Sequence, residues 1–195
     1  MEGVLRQHYE RLWGVPSREA EFRKEDGAVR VLKWDADART GDVVMYATLG
    51  ASAHPVAGRS MSRRLEYFLG LLPQQDDVAA TLALLGPATW AEPMADGHTV
   101  EVEGVLWPGT TMNCWLLAEP QEPTVPSLLH RELHVEWLQA VPLYPSERTW
   151  KAVHGAEALW ARWQADVVPF WKPEQDCLGR RYVSAVLNGH PGITR

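Results

Sequence analysis

The apolar positions change period along the chain, and each change marks an element. Val4, Leu5, His8, Leu12 and Trp13 recur at helical spacing until Gly14 and Pro16, which predicts a helix over Gly3–Trp13. Ser17–Lys24 reads as a short second turn of helix. AVRVLKW, from Ala28 to Trp34, then alternates after an Asp26-Gly27 turn. Val29, Val31 and Lys33 fall on one face and Arg30, Leu32 and Trp34 on the other, which is strand-like. DVVMYATL, from Asp42 to Leu49, is rich in β-formers and reads as a second strand. GASAHPVAG, from Gly50 to Gly58, is a loop by its glycines and proline.

Arg63–Leu72 fits a helix or a strand, with Pro73 closing it. DDVAATLALL, from Asp76 to Leu85, is predicted as a helix. Its acids lie where the helix dipole favours them, and Gly86-Pro87 is the expected stop. Gly97–Leu106 alternates weakly, and Thr111–Ala118 reads as a strand. Glu119–Pro126 holds three prolines and two acids and is expected to be an exposed loop. Leu133–Leu143 is predicted extended, and Ser146 is expected to cap a helix that breaks at Gly155 and runs to Ala165. Beyond Pro169 the period fades. The pattern implies one α+β domain over residues 1–168 with a less regular tail over 169–195.

HRELH, from His130 to His134, has two histidines four apart with an acid between. A zinc-hydrolase helix needs the acid directly after the first histidine, and here that place holds Arg131. Pro142 further disfavours a helix. In an extended segment, residues four apart are roughly 13 Å apart, too far for both to ligate one ion at about 2.1 Å. The segment is expected to be architecture, with no metal. Pro142 is expected to end its hydrogen-bond ladder.

Other reaction centres find little support. The chain lacks a Gly-x-Ser-x-Gly elbow, a Gly-x-Gly-x-x-Gly turn and a phosphate-binding Gly-Lys-Ser/Thr loop. Cys114 falls mid-strand, where a cysteine is usually a small core residue. His54 and His98 fall in loops, and nothing in their spacing joins either to a cysteine.

Composition narrows the class. The chain has 195 residues, 46% hydrophobic and 23% charged, with a net charge of −6. That is ordinary for a folded soluble protein, and no apolar run approaches the ~20 residues of a membrane helix. The acidity argues against nucleic acid as a direct ligand and suits a basic protein partner. Cys114 and Cys177 are too few for a disulfide framework, and with no secretory signal at the N-terminus a reducing cytoplasm is the expected compartment. Five of the ten tryptophans fall in the last third, mostly as expected core bulk.

Four stretches in order, YATLGAS (Tyr46–Ser52), RLEYFLGLLP (Arg64–Pro73), GHTVE (Gly97–Glu101) and VEWLQAVPLYPSE (Val135–Glu147), resemble the suppressor of fused domain family. The resemblance is strongest over residues 29–163. It implies an α+β domain with a mixed β-sheet flanked by helices, makes RLEYFLGLL a strand, and casts Arg64 and Glu66 as an ion pair, Gly97 as a tight turn and Glu147 as a helix start. The family brings no catalytic, cofactor or metal residues. Its animal members bind a transcription factor peptide using a second domain, for which this chain is too short. Short bacterial members resemble immunity proteins of polymorphic toxin systems. The resemblance thus implies a non-enzymatic cytoplasmic protein that binds a secreted toxin domain, a basic one suiting its charge. The alternatives are a general scaffold using a sheet edge, or a hydrolase using His98 or Cys114. The expected contact regions are GASAHPVAG and the Glu119–Pro126 loop.

Overall fold

The computed structural model describes residues 1–72, 74–120 and 124–172. In chain order these form α1 (Glu2–Trp13), β1 (Arg18–Lys24), β2 (Gly27–Trp34), β3 (Val44–Leu49), a 3-10 turn (Ala51–Ala53), β4 (Arg63–Leu71), α2 (Val78–Ala83) and α3 (Leu85–Ala91). The second half holds β5 (Thr99–Glu101), β6 (Cys114–Ala118), β7 (Leu128–His130), β8 (Leu133–Leu143), α4 (Pro145–His154) and α5 (Ala156–Ala165).

The strands make one mixed sheet in the order β1-β2-β3-β4-β8-β6-β5, with β7 also pairing β8. β4 and β8 are parallel, with Leu65 opposite Glu136 and Phe68 opposite Gln139. The other ladders are antiparallel.

Alternation sends successive side chains to opposite faces. One face carries Val31, Tyr46, Tyr67, Leu69, Trp115 and Leu138, packed with Val78, Leu82 and Leu85 of α2 and α3. On the other face α1 lays Leu5, Tyr9 and Trp13, four apart and so in one stripe, on Leu32, Trp34, Phe68 and Trp137. Farther along, Leu159 and Trp163 of α5 cover Cys114, Leu116, Val141 and Leu143. Each fully buried side chain of this size contributes about 1.5–3 kcal/mol. The Tyr9 hydroxyl donates to the Thr48 carbonyl at 2.8 Å and accepts from Trp137 Nε1 at 2.8 Å, so the buried polar atoms of this layer are paired.

Several elements differ from the sequence reading. Arg18–Lys24 is a strand: it pairs with Gly27–Lys33 of β2 across the Glu25-Asp26 turn, and the ladder outweighs a weak local helical pattern. The Asp76–Leu85 helix is two short helices, and Gly86-Pro87 lies inside the second. Glycine is needed at 86 because an added Cβ would meet Val29 Cγ2 at 2.7 Å. Pro87 sits in the first turn, where N–H groups have no helical partner. Gly97–Leu106 contributes only Thr99–Glu101 as strand. α4 starts after Tyr144 with Pro145 at its first position, so Ser146 is not the cap. Glu147 instead accepts the Tyr144 amide at 2.9 Å, the same reach-back that completes a capping box.

Leu133–Leu143 is extended as expected. Pro142 does not end it, because Leu143 still pairs with Cys114. Pairing with β4 stops at Gln139, so among the described strands one side of β8 has no ladder at Pro142, where a strand tolerates a proline. Cys177 and most of the predicted tail lie outside the described residues. Of that tail, Phe170 flanks the α5 cluster, beside Val168 at the end of the predicted domain.

Candidate partner-binding clefts

The GASAHPVAG loop turns sharply at Gly50, whose φ of 113° excludes most side chains. Beneath it lies Glu66, fully buried. Its Oε1 accepts Ser52 Oγ at 2.6 Å, Gly50 N at 3.0 Å and Ser52 N at 3.1 Å. Its Oε2 meets Thr48 Oγ1 at 2.5 Å, and that hydroxyl also accepts the Tyr67 amide at 2.8 Å. Burial raises the Glu66 pKa, and these hydrogen bonds pull the other way without cancelling it. The implied ion pair with Arg64 is not formed. The Arg64 guanidinium turns back to the Met61 and Arg63 carbonyls, while Glu66 points into the corner under the 3-10 turn. Arg63 makes the ion pair, to Glu136 at 2.7 Å across the parallel ladder.

Beyond this corner the loop builds one wall of a cleft of about 510 Å³ against α3. Ala57 N donates to the Thr89 carbonyl at 3.1 Å, and Trp90 Nε1 donates to the Ala51 carbonyl at 2.7 Å. His54 meets the Trp90 ring edge-on at 4.6 Å. Met61 stands at the mouth, 72% exposed, with Asp26 and Arg59 as its charged lining.

The second expected contact region borders a cleft of about 390 Å³ on the other side of the start of β4, where Arg63 and Leu65 line it. Its floor is Glu136, Trp137 and Leu138. There β8 pairs on that side with neither β7, whose ladder along β8 ends at Val135, nor β6, whose ladder along β8 begins at Gln139. Asp96 and Glu119 face Glu136 across the cleft, and Asp96 Oδ1 accepts the Glu119 amide at 2.8 Å. The loop is not wholly exposed. Val125 is buried in the α1 layer, and His8 Nε2 donates to the Pro126 carbonyl at 2.9 Å while stacking on Trp137 at 5.0 Å. Burial lowers the His8 pKa, which favours the neutral ring in that role.

Sequence candidates for chemistry are dispersed. HRELH is a hairpin and not one extended run: His130 pairs with Leu133, and His134 with Leu129. Alternation therefore sends the two rings to opposite faces. Among the described residues no three His, Cys, Asp or Glu groups converge as metal ligands. Cys114 is buried, and burial pushes its thiol up to about 11. His98 faces Leu117 on the ladder, three positions from Cys114.

The sequence reading missed one cluster. Lys33 is buried and pairs with Asp76 at 3.0 Å. Tyr46 donates to the same carboxylate at 3.0 Å, and Arg18 at 3.0 Å. Burial opposes ionisation of Asp76, but the bonds from Lys33, Tyr46 and Gln74 outweigh it and lower its pKa. A lysine on an apolar face was the only signal available, since its partner lies far along the chain.

A family model described as suppressor of fused protein matches residues 25–174. The chain belongs to the suppressor of fused family. No curated protein matches it. A suppressor of fused homologue from Neisseria gonorrhoeae superposes with a TM-score of 0.67 at 14% identity, covering 90% of this chain and 94% of its own. A chain of the Sufu–Fu complex gives 0.67 at 11% identity, covering 99% and 98%. Drosophila Suppressor of Fused gives 0.54 at 12% identity over 75% of this chain, which matches only 43% of the Drosophila chain. At these identities the likeness shows the fold. Within the suppressor of fused sheet, the motif Thr48–Ser52 and Glu66 together form the sealed corner described above.

Proposed function

We propose that this suppressor of fused domain binds protein without catalysis, and that its partner is a toxin domain produced by the same bacterial cell, which it neutralises in the cytoplasm. The observation that carries the reading is the pair of clefts flanking the start of β4, one lined by Trp90, His54 and Met61, the other by Asp96, Glu119 and Glu136. Aromatic and methionine anchors beside a charged rim match the anatomy of protein interfaces. The net charge of −6 speeds encounter with a basic toxin. The fold likeness to a gonococcal chain of similar extent supports a bacterial setting, and the Sufu–Fu complex supports protein binding as the family's mode.

The test is co-expression with the variable C-terminal domain of a large secreted protein encoded beside this gene. Rescue of growth and co-purification of a complex are expected. Failure to rescue, with both chains folded and expressed, overturns the reading.

A second reading, a peptide scaffold, is favoured by β1, whose outer edge has no partner strand among the described residues. Strand addition there would use main-chain bonds. A general scaffold retains several unrelated chains, whereas an immunity protein retains one.

A further inference from the structure

The turn that leads into β4 reads Arg59-Ser60-Met61-Ser62-Arg63-Arg64, and no acid occurs between Asp42 and Glu66. It is a basic stretch in a chain of net charge −6. Arg63 is neutralised by Glu136. Arg64 is only 9% exposed, yet among the described residues no carboxylate pairs with it. Burial holds its pKa down, and no charged neighbour offsets that. Register and alternation place Arg64 on the α1 face, opposite Val135 and two steps from Glu66. Glu66 does not serve it, because Thr48, Gly50 and Ser52 occupy both of its oxygens.

The guanidinium engages the Met61 and Arg63 carbonyls through Nη1. Its Nε is buried without a hydrogen-bond partner, and Nη2 has none among the described residues. Nε and Nη2 together form the edge that meets a carboxylate or phosphate with two parallel N–H···O bonds. A buried cation with an orphan donor is costly. A neutral water would satisfy the donor and leave the charge, whereas an oxyanion satisfies both. The same turn presents the hydroxyls of Ser60 and Ser62, 2.9 Å apart, and the exposed Arg59, which pairs with no acid among the described residues.

We propose that Arg64 is the base of an oxyanion site, in which its Nε–Nη2 edge binds one carboxylate or phosphate group and the Ser60–Ser62 turn forms the rim. Met61 ties the site to the cleft on α3: Arg64 holds its carbonyl, and its side chain lines that cleft. A molecule seated there is read for an acidic group, in contrast to the acidic cleft on the other side of β4. The inference stands whether or not a toxin is the partner.

The experiment follows the arginine Nε–H signals of the isotope-labelled full chain by NMR at neutral pH. Sodium acetate and sodium phosphate are titrated separately, each against sodium chloride at equal ionic strength. The Arg64 signal is expected to move to saturation with an oxyanion, half-saturating in the millimolar range, and to stay in place with chloride. Saturation by acetate alone identifies a carboxylate ligand, by phosphate alone a phosphate, and by both a site that reads the shared oxyanion shape. At ten times the dissociation constant the thermal midpoint is expected to rise by about 3–6 °C, and Arg64→Gln is expected to abolish that rise. An Arg64 signal that moves with neither oxyanion overturns the proposal, and this readout holds even where Arg64→Gln fails to fold. Equal shifts with chloride, or at every arginine, also overturn it, since they mark screening of surface charge only. So does a midpoint rise that survives in Arg64→Gln.

Discussion

Glu66 and Glu136 stand on adjacent parallel strands, one register step apart: Glu136 lies opposite Leu65, and Trp137 opposite Glu66. Alternation puts them on opposite faces. Glu66 is sealed, bonded to neutral donors from Thr48, Gly50 and Ser52, and inclined to hold its proton. Glu136 lines an open cleft, paired with Arg63, itself 37% exposed. The same side chain is architecture in one place and part of the proposed recognition surface in the other, and solvent access separates the two. A neutral cage can hold a buried carboxyl without the desolvation that a buried cation adds.

The largest effect that tests this contrast is Glu66→Ala. It strands four hydrogen-bond donors in a buried corner and leaves a cavity, so a loss of about 3 kcal/mol or more is expected in urea unfolding. A loss under about 1 kcal/mol would mean the corner is not sealed. Ser52→Ala removes one donor of the cage and is expected to cost about 1–2 kcal/mol by the same measurement.

Glu66→Gln sharpens the point. Its amide mimics the protonated acid, with the oxygen toward Gly50 and Ser52 and the NH2 toward Thr48 Oγ1. Folded Glu66 has a pKa above the ordinary 4.5. Between those two values the folded state holds a proton that the unfolded state has lost, so its contribution to stability falls as pH rises through that window. The wild-type should lose stability there, and Glu66→Gln should flatten the slope. Equal slopes in pH-stepped denaturation would place the titration elsewhere.

The smallest expected change in stability is for Glu136→Ala, under about 1 kcal/mol because the pair is solvent-screened. Its effect should appear in affinity for the proposed partner, as a drop of about tenfold with a weaker salt dependence measured by calorimetry. Unchanged affinity would remove the acidic cleft from the binding surface.

Much of the fold was legible. α1, β2, β3 and β8 announce themselves because each has a strong period and a clear stop, and β8 matches its expected bounds. β1 was not legible. Its apolar residues are too few to show a period, and its strand state comes from pairing with β2. The break between α2 and α3 depends on Val29 lying against Gly86, a contact between distant segments. Of the candidate surface, both loops were visible from their glycines, prolines and charge. Trp90 was not, because its place beside His54 requires α3 to fold back over the loop. The expected Arg64–Glu66 pair failed for a local reason. Two residues apart on a strand share a face, but the turn at Gly50 supplies nearer donors to Glu66.

The parallel ladder of β4 and β8 bears on how the chain assembles. β1 to β4 form one antiparallel leaf from near neighbours in sequence, and β6 to β8 form another. Among the described strands only the β4–β8 ladder joins them, across a separation of some 70 residues. Contacts between distant segments form slowly because loop-closure entropy precedes their reward. The two leaves are expected to gain amide protection first, with the β4–β8 amides last in pulse-labelled hydrogen exchange. Until that late step, both halves expose an open edge, and the growing chain is then most prone to pair with a neighbour in place of itself.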